Sequence, residues 1–239
     1  DFLGLRTLTV IDDAEKNILK SRGIKIDWDK IPLDDPATYD LLNSGDTVAV
    51  FQLESGGMQD LCRKFKVETI DHISALLAIY RPGPMEFIPD FVSRKVQGRQ
   101  IEYDHPLMEP ILNETYGIML YQEQIMQVVQ VLAGFSLGQA DILRRAIGKK
   151  KIKDMEYQHV KFVEGCAKTN HIDEKLADQI WEKIKKFAGY GFNKSHSAAY
   201  AVISYRTAYL KANYKPEFFA AVLSSELDKA DKITFLINA

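Results

Sequence analysis

Cysteine is almost missing from this chain: of 239 residues only Cys62 and Cys166 carry a thiol. They lie far apart and form no CxxC pair, so neither a disulfide framework nor a zinc site is expected. Both are expected as small buried apolar groups in a reducing cytosol. Long apolar runs are missing too. No stretch approaches the roughly 18 residues of a membrane span and no signal peptide opens the chain, so a cytoplasmic protein without a membrane partner is expected. Nor is charge of one sign in excess, with 31 Lys and Arg against 33 Asp and Glu. The total therefore says nothing about partners, and only local clusters can. His72, His105, His159 and His171 lack HExxH or any other ligand spacing, and are expected to be surface or core residues without a functional role.

What is present is helical periodicity. An apolar fraction of 46% and a charged fraction of 27% suit a folded domain. The length allows one large domain or two small ones. "YQEQIMQVVQVLAGF" places Ile125, Val128, Val129 and Leu132 on one stripe that ends at Gly134. "DEKLADQIWEKIKKFAG" does the same with Leu176, Ile180, Ile184 and Phe187. Ser136 reads as the cap of a helix running to Gly148, a serine precedes "GGMQDLCRKFK", and "TIDHISALLAIY" starts at Thr69 and stops at "RPGP". Two segments read as strands: residues 1–11, through Phe2, Leu3, Leu5, Leu8, Val10 and Ile11, and "TVAVFQLES" at 47–55. Asp12 to Leu19 reads as a helix closed by Gly23. Both ends look like cuts through a longer polypeptide. The fold class expected is mainly α with a short β contribution near the N-terminus.

Chemistry concentrates in a few places. Arg144, Arg145, Lys149, Lys150, Lys151 and Lys153 put six cations within ten residues. Such a cluster at a helix end suits phosphate groups, although Asp141 can pair with Arg145 one turn on and lysine runs are often only solvated. It is no P-loop, because Leu143 stands where the first glycine would fall. "KFAGYGFNKSHSAAYAVISY" sets Gly189, Gly191, Asn193, Lys194 and His196 before an alanine-rich helix with Ser195 as the expected cap. That is a plausible phosphate receptor or, failing that, a helix–helix turn with Tyr190 and Phe192 buried. In "YRPGPM", Arg81 stands before a rigid turn, either holding its head in place or pairing with an acid. Tyr121, Gln122, Glu123 and Gln124 open an apolar helix, where Glu123 suits the helix dipole. Nucleotide or nucleic acid is the natural class of partner.

These residues also carry a resemblance. "DFLGLRTLT", "VFQLES", "YRPGPM", "TYGIMLYQEQIM", "AGFSLGQADILRRAIGKK" and "FAGYGFNKSHSAAYA" follow one another as in the alpha subunits of bacterial DNA polymerase III, the C-family replicases. The resemblance covers nearly the whole chain. It implies a fingers region, residues 21–239, after the truncated end of a palm, residues 1–20. It implies DNA-directed DNA synthesis with two magnesium ions, primer-template DNA and deoxynucleoside triphosphates. Asp1 matches the third metal-binding palm aspartate, while the paired DxD aspartates are absent, so the isolated chain is expected to be inactive. On the family's pattern Arg144, Arg145, Lys149 and Lys150 would grip the triphosphate. Lys194 and His196 would face the incoming nucleotide or templating base, and Arg81 would support the pocket. A sliding clamp and a proofreading exonuclease would bind through regions outside this chain. The alternatives are a non-catalytic helical DNA-binding module, or an interaction protein whose basic cluster is only a solvated surface.

Overall fold

The computed structural model describes residues 5–148, 152–227 and 230–237. Thirteen α-helices occur among them, joined by turns and three 3-10 segments, and their only β pairing is an isolated parallel bridge between Tyr121 and Phe192. The mainly α expectation holds. The chain divides into two compact units, Asp1–Leu77 with Ala198–Ala239, and Ala78–Ser197.

In the first unit, α1 (Arg6–Arg22) buries Val10, Ile11, Ala14 and Ile18 on one face. It packs on α12 (Lys215–Ser225) through Phe218, Ala221 and Val222, with Leu210 and Leu236 completing the core. Each such large side chain contributes about 1.5–3 kcal/mol when fully buried. Leu8, Val10 and Ile11, expected on a strand, are helical. Val10 and Ile11 continue the period of Ala14 and Ile18 while Leu8 faces out, and there is no sheet for a strand to join among the described residues. Asp1, Phe2 and Leu3 lie outside those residues. α2 (Pro36–Ser44) is capped by Asp35, α3 (Gly56–Phe65) by Ser55, and α4 (Ile70–Ile79) begins where the Thr69 hydroxyl accepts from the His72 N–H.

The second expected strand is a series of turns. Ala49 and Gln52 adopt positive φ, which breaks the alternation a strand needs. Some of this segment's backbone groups bond within the turns, and others are met by side chains of α11 (Lys194–Asn213). The Phe51 N–H donates to the Thr207 hydroxyl, the Phe51 carbonyl accepts from Ser204, and the Lys211 ammonium donates to the Asp46 and Val48 carbonyls and the Asp46 carboxylate. The remaining helix of this unit is α13 (Ala230–Ile237).

The second unit is built around α7 (Gln122–Ala133), whose stripe Ile125, Val128, Val129 and Leu132 is buried as expected and is closed by Gly134 in a left-handed conformation. α9 (Ile152–Asn170) brings Phe162 and Cys166 to this core, and α10 (Glu174–Ala188) brings Ile180, Trp181 and Ile184. At Gly165 of α9 the Ala133 carbonyl comes so near that no Cβ would fit, which lets the two backbones approach. α8 (Leu137–Gly148) opens with the expected Ser136 cap, and the structure makes it reciprocal: the hydroxyl accepts from the Gln139 N–H while the Ser136 N–H donates to the Gln139 amide oxygen. Before α7 come α5 (Ile88–Val96) and the one-turn α6 (Glu109–Leu112). Burial raises the Cys62 thiol to about 12 and the Cys166 thiol to about 11, which fits inert apolar groups.

Candidate functional site

Arg81, Arg144, Arg145, Lys194 and His196 all fall in the second unit. Asp1, Lys149 and Lys150 lie outside the described residues. What joins the others is the start of α7, docked against the glycine-rich turn that enters α11. The Gln122 N–H donates to the Phe192 carbonyl at 2.9 Å and the Phe192 N–H to the Leu120 carbonyl at 3.0 Å. Gly191 fits closely there, since a Cβ would stand 3.1 Å from Gln122 Cγ and would push that side chain back by a few tenths of an ångström.

From this junction the cations spread outward. Gln122 Nε2 donates to the Gly191 carbonyl at 3.1 Å, and Gln122 Oε1 accepts from Arg144 Nη1 at 3.4 Å. Arg144 and Arg145 share Asp141: Arg144 donates through Nε and Nη2, and Arg145 through Nη2 at 2.8 Å. The pairing of Asp141 with Arg145 was legible in the sequence. The hydrogen bond from Arg144, with Arg145 beside it, holds the Asp141 carboxyl below the ordinary carboxylate range. The Arg144 side chain is two-thirds covered, whereas that of Arg145 is mostly exposed.

On the other side of the turn, the Arg81 guanidinium carbon sits over the Phe192 ring, 4.3 Å from its centre. Its partners are carbonyls rather than an acid: Nη2 donates to Tyr190 and Nε to Ala78. Burial pulls this guanidinium below its usual value. The same Phe192 ring meets His196 edge-on at 5.5 Å, so one aromatic side chain spaces an arginine from a histidine. Phe192 is half-buried and Tyr190 is 42% exposed, so the turn does not bury its aromatic residues as a plain helix–helix connection would.

The helix entry departs from expectation. α11 begins at Lys194, and its cap is Asn193, whose Oδ1 accepts from the His196 N–H at 2.9 Å. Ser195, expected to cap it, lies inside the first turn. Asn193 wins because its amide can serve two partners at once: Nδ2 also donates to Glu123 Oε1 at 3.2 Å. Glu123 Oε2 accepts from the Lys194 N–H at 3.0 Å. Glu123 therefore complements the positive end of α11, in addition to standing in the first turn of its own helix. The Lys194 ammonium donates to Glu114 at 2.6 Å and sits 5.5 Å over the Tyr121 ring. Buried Gln124 ties this corner together, accepting from the Leu120 and Tyr121 N–H groups and donating to Thr115 and Glu114.

Five cationic or imidazole side chains, Arg81, Arg144, Arg145, Lys194 and His196, are thus linked through one junction, each oriented by aromatic faces, carbonyls or carboxylates. Charge-assisted donors of this kind suit phosphate oxygens, and arginine suits them in forked geometry. The sequence reading passed over Glu114, and it took Gln122 and Glu123 only as polar residues at the start of α7. The signal available was a run of polar residues opening an apolar helix, which does not name its partners. Among the described residues no group of three or more His, Cys, Asp or Glu side chains is placed to hold a metal ion. No helix among them is long and apolar enough to cross a membrane.

Residues 7–170 match the family model for the bacterial DNA polymerase III alpha subunit finger domain. Among curated proteins the chain is 55% identical over 233 residues to DNA polymerase III subunit alpha of Caulobacter vibrioides, covering 98% of this chain and 20% of that protein. It is 54% identical over 238 residues to that of Rickettsia prowazekii and 49% identical over 243 residues to that of Thermus aquaticus, with all of this chain and 20% of each protein covered. The chain therefore spans about a fifth of the length of the relatives it matches.

Proposed function

The chain belongs to the bacterial DNA polymerase III alpha subunit family, within its finger domain, and from that premise we propose that its second unit grips the incoming deoxynucleoside triphosphate during DNA-templated DNA synthesis. Arg144 and Arg145 contact the triphosphate, with Lys149 and Lys150 extending the cluster. Lys194 and His196 face the nucleotide or the templating base, and Arg81 supports them. The observation that carries this reading is the junction of Gln122 with Gly191 and Arg144, which draws together sequence segments otherwise far apart. In phosphoryl transfer the protein supplies mainly position and charge, so a fingers segment acts by orienting cations toward the triphosphate. The primer-template, the two magnesium ions and the carboxylates that hold them, Asp1 among them, belong to the same proposal. So do the clamp and exonuclease contacts made by other parts of the polymerase.

The test is single-nucleotide incorporation on a primed template with magnesium, using full-length polymerase carrying Arg144→Ala or Arg145→Ala. Each should raise the nucleotide KM by about tenfold or more, as expected for a lost charged hydrogen bond. Wild-type KM in both variants would remove the arginines from nucleotide binding. If DNA affinity persisted, the same result would favour a helical DNA-binding module without a part in the chemistry.

A further inference from the structure

We propose that Gln122 and Glu123 are a positioning pair for this nucleotide face, holding Arg144 on one side and the entry of α11 on the other in a single fixed register. This rests on the reading of the cations as nucleotide ligands. The two residues are neighbours at the first turn of α7, and they reach different partners. Gln122 uses both ends of its amide, donating to the Gly191 carbonyl at 3.1 Å and accepting from Arg144 at 3.4 Å. Glu123 uses both carboxylate oxygens, one on the Lys194 N–H at 3.0 Å and the other on the Asn193 amide at 3.2 Å. Asn193 in turn accepts from the His196 N–H, so the carboxylate sets the cap that orients the first turn of α11.

The arrangement does more than stabilise a helix end. The cap itself is the single bond from the His196 N–H to Asn193 Oδ1. The additional bonds to Glu123 come from a residue about seventy positions away, and they fasten α11 to the element that also holds Arg144. Lys194 and His196 project from that first turn, so a shift of the entry moves both relative to the arginines. Small misplacements of positioning groups are costly when a reaction depends on geometry. The Glu123 charge is satisfied at the N-terminus of α11, where the helix dipole favours it. Its role is therefore to orient neighbouring donors, with no contact of its own to the nucleotide.

The experiment uses full-length polymerase with variants Glu123→Ala, Glu123→Gln, Gln122→Ala and the control Arg144→Ala. It measures nucleotide KM, kcat per titrated active site, and affinity for primed template. Glu123→Ala is expected to raise KM about tenfold, with kcat within about twofold and template affinity unchanged. Glu123→Gln keeps an acceptor for the Lys194 N–H but sets its NH2 against the Asn193 Nδ2 donor, so it should recover only part of that loss, while Gln122→Ala should raise KM about threefold. A KM for Glu123→Ala that is unchanged or lowered, while Arg144→Ala raises it, overturns the positioning role and leaves the nucleotide face standing. A loss of active enzyme with normal KM in the remainder also overturns it, because that is what a purely structural residue would give. Normal KM in Arg144→Ala itself would bring down the underlying reading, and the pair with it.

Discussion

Gly83→Ala isolates the backbone geometry that sets Arg81 beside the glycine-rich turn. Gly83 lies at φ 101° and ψ −77°, a conformation that side-chain-bearing residues rarely adopt. Forcing alanine there costs about 1–3 kcal/mol. The added Cβ would stand 2.5 Å from two ring carbons of Tyr190, far inside the roughly 3.5–4.0 Å at which carbon atoms attract. Tyr190 is 42% exposed and can swing away, so this second part is near the low end for overpacking, about 1 kcal/mol. The sum is about 2–4 kcal/mol, or a fall in melting temperature of roughly 8–16 °C for a unit of this size. The two tryptophans lie in different units, so a Trp28→Phe background leaves Trp181 fluorescence to report on the second unit during urea unfolding. Gly83→Ala with Tyr190→Ala should recover about 1 kcal/mol relative to the sum of the single variants, because the clash needs both partners while the backbone strain does not. Stability of Gly83→Ala within about 0.5 kcal/mol of the parent would refute the strain argument. Strict additivity in the double variant would refute the clash.

Two further outcomes are expected in the first unit. Lys211, whose side chain is 0% exposed, donates to three oxygens, so Lys211→Met should cost about 2–4 kcal/mol by leaving the Asp46 and Val48 carbonyls unsatisfied. Unchanged urea unfolding would mean that water replaces the ammonium there. Glu217 takes a forked pair of bonds from Arg22 and one from Ser21, and chiefly the Arg22 bond lowers its carboxyl from 4.5 to about 2. A depressed acid contributes stability above its unfolded pKa and loses it as the pH falls through the folded one. Melting temperature should therefore drop between about pH 4.5 and 2 in a Glu217-dependent way, and Glu217→Gln should flatten that part of the profile. Parallel profiles for the two proteins would exclude Glu217 as the source.

Much of this architecture was legible locally, for a physical reason. A helix satisfies its backbone within four residues, so its stripe, its cap and its stop are written close together. Ile125, Val128, Val129 and Leu132 with Gly134, the caps at Ser55, Ser136 and Thr69, and the Asp141 pairing with Arg145 are all of that kind. The sequence by itself also determined the family, through ordered motifs that local physics does not explain. Only the tertiary structure decided the rest. Residues 47–55 have the composition of a strand, yet the Phe51 N–H and carbonyl and the Val48 carbonyl are satisfied by Thr207, Ser204 and Lys211 from more than 150 positions away. Asn193 caps α11 in place of Ser195 because Glu123, on another helix, engages the other end of its amide. Arg81 rests on Phe192, and Gln122 meets both Gly191 and Arg144, because folding brings those segments together. A hydrogen bond between residues seventy positions apart leaves no periodic trace in the chain, and the candidate site is made mostly of such bonds.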